Sequence, residues 1–465
     1  MERWPFVFKP RPRSRISRDG LKRALSPLQI QLLSIGGVIG VGLFYGSGVA
    51  LTLAGPAVVL DYVIGGVVVA IVMRALGEMT VEEPIAGSFS RFAENTMGPM
   101  MGFLTGGMWW FFWVSTVMSE LAAIGLLVQF WVPALPAWIP GLIALVLFTL
   151  ANFLHVKVFG SVEFWFAVLK IFAIAAFMGL GIFLALRALF GGYHVAGIPN
   201  LWRFGGFFPH GVAGPLQAFS LVVLGYSGVE TLAVTAGETA QPEKAIPRAV
   251  SNVTWRIAIL YVGSIFVMLI AFPWSALIGH HTSPYVLLFT RIGLPLAATV
   301  INAIIITSGL SSSNTGLYGG SRMLFSMSQQ ERLPITLGHL SRNKVPRRAV
   351  VVTGIGMSVG ILLTYLAPNT VYVWISSAAS FAAIWTWSTI LVSELLFKKR
   401  HQTKALKFPV PGGPWLPVIG LVLLAGILLA IMVSPLTSVS VWAGIVWLLF
   451  LIVYWNLWAK ATIKP

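Results

Sequence analysis

Leu33-Ser-Ile-Gly-Gly-Val-Ile-Gly-Val-Gly-Leu-Phe-Tyr-Gly-Ser-Gly48 decides the fold. It lies in an apolar run long enough to cross a bilayer, which takes about 20 residues. Six glycines (Gly36, Gly37, Gly40, Gly42, Gly46 and Gly48) disfavour an unbroken helix there. Inside lipid, unpaired backbone N–H and C=O groups are tolerated only where protein or a water-filled cavity receives them, so a break implies a cavity walled by main chain. The half-helix that resumes after Gly42 presents free N–H groups and a positive dipole end, which suit a carboxylate.

Composition outward from this stretch points the same way. The 465 residues are 57% hydrophobic and 10% charged, with a mean hydropathy of +0.86, far from the soluble globular norm. The reading is an all-α polytopic membrane protein. With no cysteine, a disulfide framework and thiolate metal sites are excluded. A net charge of +17 invites a nucleic-acid reading, but the Lys and Arg sit in short loops between apolar runs rather than on a basic soluble face. No nucleic acid is expected as a partner; membrane lipid is.

Twelve spans are read at roughly 28–54, 56–81, 99–132, 137–155, 162–189, 213–236, 253–276, 287–316, 349–367, 370–396, 414–433 and 437–459. Residues 1–27 form a basic tail with Arg3, Lys9, Arg11, Arg13, Arg15, Arg18, Lys22 and Arg23, and residues 460–465 a second tail. The run after the first tail is too long for a signal peptide. Loops on the same side hold Lys157, Lys244, Arg248, Arg322, Arg332, Arg342, Lys344, Arg347, Arg348, Lys398, Lys399, Arg400, Lys404 and Lys407, whereas the other side has only Arg187, Arg203 and Arg291. That asymmetry places both termini in the cytoplasm. No loop is long enough for a soluble domain, so 28–459 is a single transmembrane domain of an inner (cell) membrane.

A second interruption follows five spans later, in Phe219-Ser-Leu-Val-Val-Leu-Gly-Tyr-Ser-Gly-Val-Glu230, where Ser227-Gly228 and an acid break the apolar run. Paired breaks in corresponding spans point to an inverted-repeat transporter with its substrate at the midplane. Close packing of small residues is the competing explanation for such glycines, and it suits Gly102, Gly106 and Gly107 of the third span.

These residues resemble the bacterial amino acid permeases of the amino acid, polyamine and organocation superfamily, in particular the proline, histidine and aromatic permease group. The likeness rests on Leu21-Lys-Arg-Ala-Leu25, Gly40-Val-Gly-Leu-Phe44, Met73-Arg-Ala-Leu-Gly-Glu-Met79, Ala86-Gly-Ser-Phe89 and Phe159-Gly-Ser-Val-Glu-Phe-Trp-Phe-Ala-Val-Leu-Lys170. It continues through Thr235–Arg248, Asn314-Thr-Gly-Leu-Tyr318 and Arg322-Met-Leu324. The resemblance implies a leucine-transporter-like 5+5 inverted repeat with two additional helices, and secondary transport of an amino acid without a cofactor. It also marks two departures: Val41 stands where the family usually has Thr, and Ser227 where Gly is common.

The candidate substrate site is accordingly Val38, Ile39, Gly40, Val41 and Gly42 with Tyr226, Ser227 and Gly228, Tyr226 serving as a lid on the outer side. Ionisable residues deep in a span are functional candidates, since one at a helix centre costs about 2.5–3.5 kcal/mol on the lower scales. Lys170 is such a residue, and the resemblance puts it where sodium-coupled relatives bind an ion, with Ser311, Ser312 and Ser313 opposite. It is read as a proton carrier or, alternatively, a charged strut. Glu230 braces the second break or carries a proton, and Glu120 joins the proton-coupling set. Arg74 and Glu78, one turn apart, read as an interfacial pair, and Asp61 has no assigned role. Most Trp residues, Trp113 among them, read as packing or interface residues. The seven His offer no metal spacing, and no nucleophile and base converge, so the chain is not read as an enzyme.

The expected activity is proton-coupled uptake of a neutral or weakly basic amino acid such as proline or histidine. An exchanger of the same fold and a non-transporting nutrient receptor are the alternatives.

Overall fold

Backbone polar groups that water cannot reach must be satisfied within the chain, so apolar runs of this length fold as helices. A computed structural model describes residues 39–83, 88–153, 159–191, 196–231, 242–280, 282–341, 345–368, 370–401 and 406–459. No strand occurs among the described residues. The helices are α1 (Ser47–Ala54, continuing a π-helical turn Gly42–Gly46), α2 (Val58–Glu82), α3 (Ser88–Met97), α4 (Pro99–Val128), α5 (Trp138–Asn152), α6 (Phe159–Leu189), α7 (Ala213–Tyr226) and α8 (Pro242–Arg256). They continue with α9 (Ser264–Ala271), α10 (Pro284–Arg291), α11 (Pro295–Gln329), α12 (Arg347–Leu366), α13 (Val371–Arg400), α14 (Trp415–Val433) and α15 (Ser438–Tyr454).

Among the described residues, eight helical stretches are long and apolar enough to cross a membrane, and the shorter apolar helices Trp138–Asn152, Ala213–Tyr226 and Ala258–Ala271 accompany them. Burial ranks them. In α4 and α13, 83% of the most apolar stretch is enclosed by protein, against 33% in α14 and 28% in Ser438–Trp458. So α4 and α13 form the centre and α14 and α15 the rim. Rim side chains such as Val422, Leu429, Trp442 and Leu449 are exposed, as a surface solvated by acyl chains requires. Small residues close the central seams. A Cβ on Gly316 of α11 would stand 2.8 Å from Trp113 of α4, and one on Gly360 of α12 2.6 Å from Met118.

Several boundaries differ from the sequence reading, each for a local reason. The chain reverses between α1 and α2 at Gly55, whose φ of 63° and ψ of −149° suit glycine alone. The span expected at 287–316 is two helices. Gly293 at φ 79° and Pro295 at the first turn of α11 separate α10 from α11, which then runs on to Gln329. The serines at 311–313 do not stop it, since Ser311 and Ser312 find buried side-chain partners on neighbouring helices. The span expected at 253–276 begins earlier, α8 passing through a π-helical segment, Ile257–Gly263, into α9. The amphipathic α3 has no counterpart in the reading. Residues 1–38, 154–158 and 232–241 lie outside the described ones, and with them Val38, Lys157, the basic tail and the continuation of the sixth span.

Arg74 and Glu78 are not an ion pair with each other. Both hold the segment 406–413, which lies along the end of α2. The Arg74 guanidinium donates to the Pro409 carbonyl at 2.6 Å and lies 3.4 Å over the Phe408 ring. Glu78 accepts from the Val410 N–H and sits 3.5 Å from Lys398 Nζ. Lys398 also pairs with Glu394 at 2.6 Å and donates to the Gly413 carbonyl at 3.2 Å.

Candidate functional site

The two interrupted segments meet backbone to backbone. A Cβ on Gly42 would lie 3.2 Å from Gly225 Cα and 3.4 Å from Gly225 N, so the start of the π-helical turn packs on the end of α7 with no room for a side chain. Beside this contact is a cavity of about 10 Å³, lined by Gly40, Gly42, Trp113, Thr116, Glu120, Leu224, Ser227 and Ser312. That is room for about one water.

Side chains from two central helices complete the hydrogen bonding of the first break. Glu120 Oε2 of α4 accepts from Val41 N at 3.0 Å, and Ser308 of α11 donates to the Ile39 carbonyl at 2.9 Å. Further out, Ser283 donates to the Phe44 carbonyl at 2.6 Å and accepts from Tyr285 N at 3.3 Å. A π-helical turn widens the i→i−4 ladder, and here one of its carbonyls finds a hydroxyl instead.

At the second break α7 stops because Ser227 is extended (φ −69°, ψ 150°) and Gly228 has φ 100°. Ser227 donates to the Val223 carbonyl one turn back, at 2.7 Å. Glu230, buried, accepts from Gly228 N at 3.2 Å and from Trp387 Nε1 of α13 at 3.3 Å.

Lys170 is fully buried on α6, and its Nζ donates to Ser311 Oγ at 3.0 Å. The three serines, read together as facing Lys170, divide between neighbours. Successive residues on a helix point about 100° apart. Ser311 turns to Lys170, Ser312 hydrogen bonds to Glu120, and Ser313 Oγ is buried with no partner among the described residues.

Tyr226 is not at the cavity. Its hydroxyl donates to the Tyr62 carbonyl on α2 at 2.7 Å, and its ring stacks on Tyr261 with centroids 4.8 Å apart. It lies against Gly65, whose Cβ position is 2.9 Å from the ring. The side chain leaves α7 on the face turned to α2, where it packs against Gly65. Leu224 lines the cavity instead. Ile39, Gly40, Val41, Gly42, Ser227 and Gly228 do lie at the two breaks.

Trp113 and Thr116 were not singled out as site residues. With Glu120 they stand at i, i+3 and i+7 on α4 and share one face, and the signal was a polar pair in an apolar span at helical spacing. A wider outer cavity of about 440 Å³, on the side away from the basic loops, is lined by Tyr45, Thr52, His210, His280, Tyr372 and their neighbours. Tyr45 and Tyr372 meet edge to face there, centroids 5.0 Å apart.

Membrane-length helices enclosing a buried polar cavity, with interrupted backbone on its wall, define a multi-pass membrane protein with an interior site. The family profile described as amino acid permease matches residues 29–464. The chain is 42% identical to the uncharacterized amino acid permease YtnA of Bacillus subtilis over 94% of each chain. It is 37% identical both to the probable threonine/serine transporter YbxG of Bacillus subtilis and to the aromatic amino acid transport protein AroP of Salmonella typhimurium, in each case over 93% of this chain and 94% of the relative. The chain belongs to the amino acid permease family, within the amino acid, polyamine and organocation superfamily. This is a family of transporters rather than enzymes.

Proposed function

We propose that this permease takes up a neutral or weakly basic α-amino acid together with protons, by alternating access across a twelve-span bundle with both termini in the cytoplasm. Proline and histidine are the first candidates. Aromatic and other neutral amino acids follow, in keeping with the relatives AroP, an aromatic amino acid transport protein, and YbxG, a probable threonine/serine transporter. The single observation that carries the reading is the backbone contact of Gly42 with Gly225 beside a cavity lined by Glu120, the carboxylate that accepts from the Val41 N–H. Such a break offers main-chain donors at a helix start to a carboxylate. The substrate's carboxylate binds the break around Gly40 and Gly42, and its side chain lies toward Trp113, Thr116, Leu224 and Ser227.

Charge selects against other classes. A fixed cationic side chain wants a free carboxylate, yet Glu120 and Glu230 already receive hydrogen bonds within the two breaks. A dicarboxylate wants a second cation, and Lys170 donates to Ser311 and does not itself line the cavity. In this account Lys170 exchanges the proton that drives accumulation. Its partner Ser311 can accept from the amine in either protonation state.

A thermal-shift panel of the twenty amino acids on purified protein tests the substrate class. A ligand at 100 times its Kd adds about 2.7 kcal/mol to the folded state. Proline, histidine or another neutral amino acid is expected to stabilise the protein. Stabilisation by arginine or glutamate alone would overturn the assignment. Hydrophobic contacts discriminate by only about 1–3 kcal/mol per methylene, so close neighbours of the substrate should shift the melt as well.

A further inference from the structure

The group that occupies the first break is itself a carboxylate. Glu120 lies 79 residues further along the chain, and its Oε2 accepts from Val41 N at 3.0 Å. Ser312 hydrogen bonds to the same side chain, and Oε1 stands where a side chain on Gly40 would begin. A Cβ on Gly309 would be 3.2 Å from Oε2, so glycines in the first break and on α11 both make way for this carboxylate. With Glu120 in place the cavity holds about one water. An amino acid cannot enter beside it.

We propose that Glu120 is an internal stand-in for the substrate carboxylate. It holds the donors of the first break while the site is empty, and the incoming amino acid displaces it. The inference rests on the reading of that break as the carboxylate site. Its chemistry follows from the donors, since a backbone N–H and a hydroxyl directed at one oxygen pair make a charge-assisted anion site that cannot serve two carboxylates at once. Two carboxylates in one dry site do not both stay ionised. Displacement is therefore accompanied by transfer of a proton from water to the Glu120 carboxylate, and ejection of the substrate by its loss. The charged or titratable groups that act on Glu120 are Lys170 of α6 and Tyr372 of α13. From α11 it meets Ser312 and the Gly309 position, and from the first break Val41 N–H and the Gly40 position. Two residues thus link substrate to proton: Lys170 as the site that drives accumulation, and Glu120 as the group that makes substrate and proton arrive together.

The test titrates each of the twenty amino acids singly against wild type, Glu120→Gln, Glu120→Asp and Gly42→Val at pH 6 and pH 8. The amino acid that binds wild type should bind Glu120→Gln about tenfold more tightly at pH 8, because a neutral amide competes less well for Val41 N–H than a carboxylate does. Wild-type affinity should fall from pH 6 to pH 8, and that of Glu120→Gln should not. Glu120→Asp, whose carboxylate is one methylene short of Val41, should also bind more tightly than wild type, and it serves as the readout if the Gln variant does not fold. A purely structural Glu120 would lower the melting temperature without raising affinity. Equal or weaker binding by both variants, with the wild-type pH profile retained, would overturn the inference. Unchanged binding by Gly42→Val would show that the carboxylate site lies elsewhere, and would remove the underlying reading together with this one.

Discussion

At the scale of single residues, the site depends on what glycine omits. A Cβ on Gly42 would already press on Gly225 at 3.2 Å, and two methyls beyond it have no space. Overpacking of this kind costs about 1–3 kcal/mol, which a membrane bundle of this size survives. Gly42→Val should therefore remain monodisperse by size exclusion with a modestly lower melting temperature, while the ligand-induced thermal shift disappears. A variant that keeps the wild-type shift would move the site away from the break. The glycines were legible in the sequence because their density contradicts the helix that the apolar run demands. Their partners were not. Glu120 reaches Val41 only once α4 stands beside the first span, and no spacing rule connects residues so far apart in the chain. The serine triplet shows the same limit, since its composition announced a polar face but not that Ser311 and Ser312 would turn to different helices. That the Tyr226 side chain packs on α2 was not readable for a related reason, because position along a span does not say which side of the helix faces the cavity.

Among the elements, the paired interruptions of the first and sixth spans were readable, and so were most helix borders, because Pro and Gly mark them. The extent of α11 was not, as a run of Ser, Asn, Thr and Gly looks like a loop until neighbouring helices supply partners. Nor was the packing of segment 406–413 along α2, which depends on contacts more than 300 residues apart in sequence, such as Val410 N with Glu78. This packing carries its own prediction. Side chains of Glu78 and Glu394 are fully enclosed and share Lys398, so Lys398→Ala leaves two buried carboxylates without their cation. Removing one partner of a buried pair typically costs about 3–5 kcal/mol. By contrast Lys407 and Glu243 pair at 2.7 Å with side chains 52% and 62% exposed, where water screens the charges. Thermal unfolding in detergent should show a large drop for Lys398→Ala and no change for Lys407→Ala. Equal effects would mean that the 406–413 segment is not held by the buried cluster.

For the whole molecule, composition and hydropathy already required a polytopic helical protein, and the match to the amino acid permease family over residues 29–464 makes it a transporter. Its working cycle follows from two facts about the interior. The cavity at the breaks is closed down around a carboxylate, and a larger outer cavity lies toward Tyr45 and Tyr372. On the proposed account, entry of an amino acid widens the first and moves Glu120, and accumulation draws on the proton gradient. Uptake into proteoliposomes measures that directly, with an inward proton gradient at equal sodium in one arm and an inward sodium gradient at equal pH in the other. The account predicts accumulation in the proton arm alone, and its loss in Lys170→Met with amino acid exchange retained. Accumulation driven by sodium at equal pH, or undiminished accumulation by Lys170→Met, would contradict it.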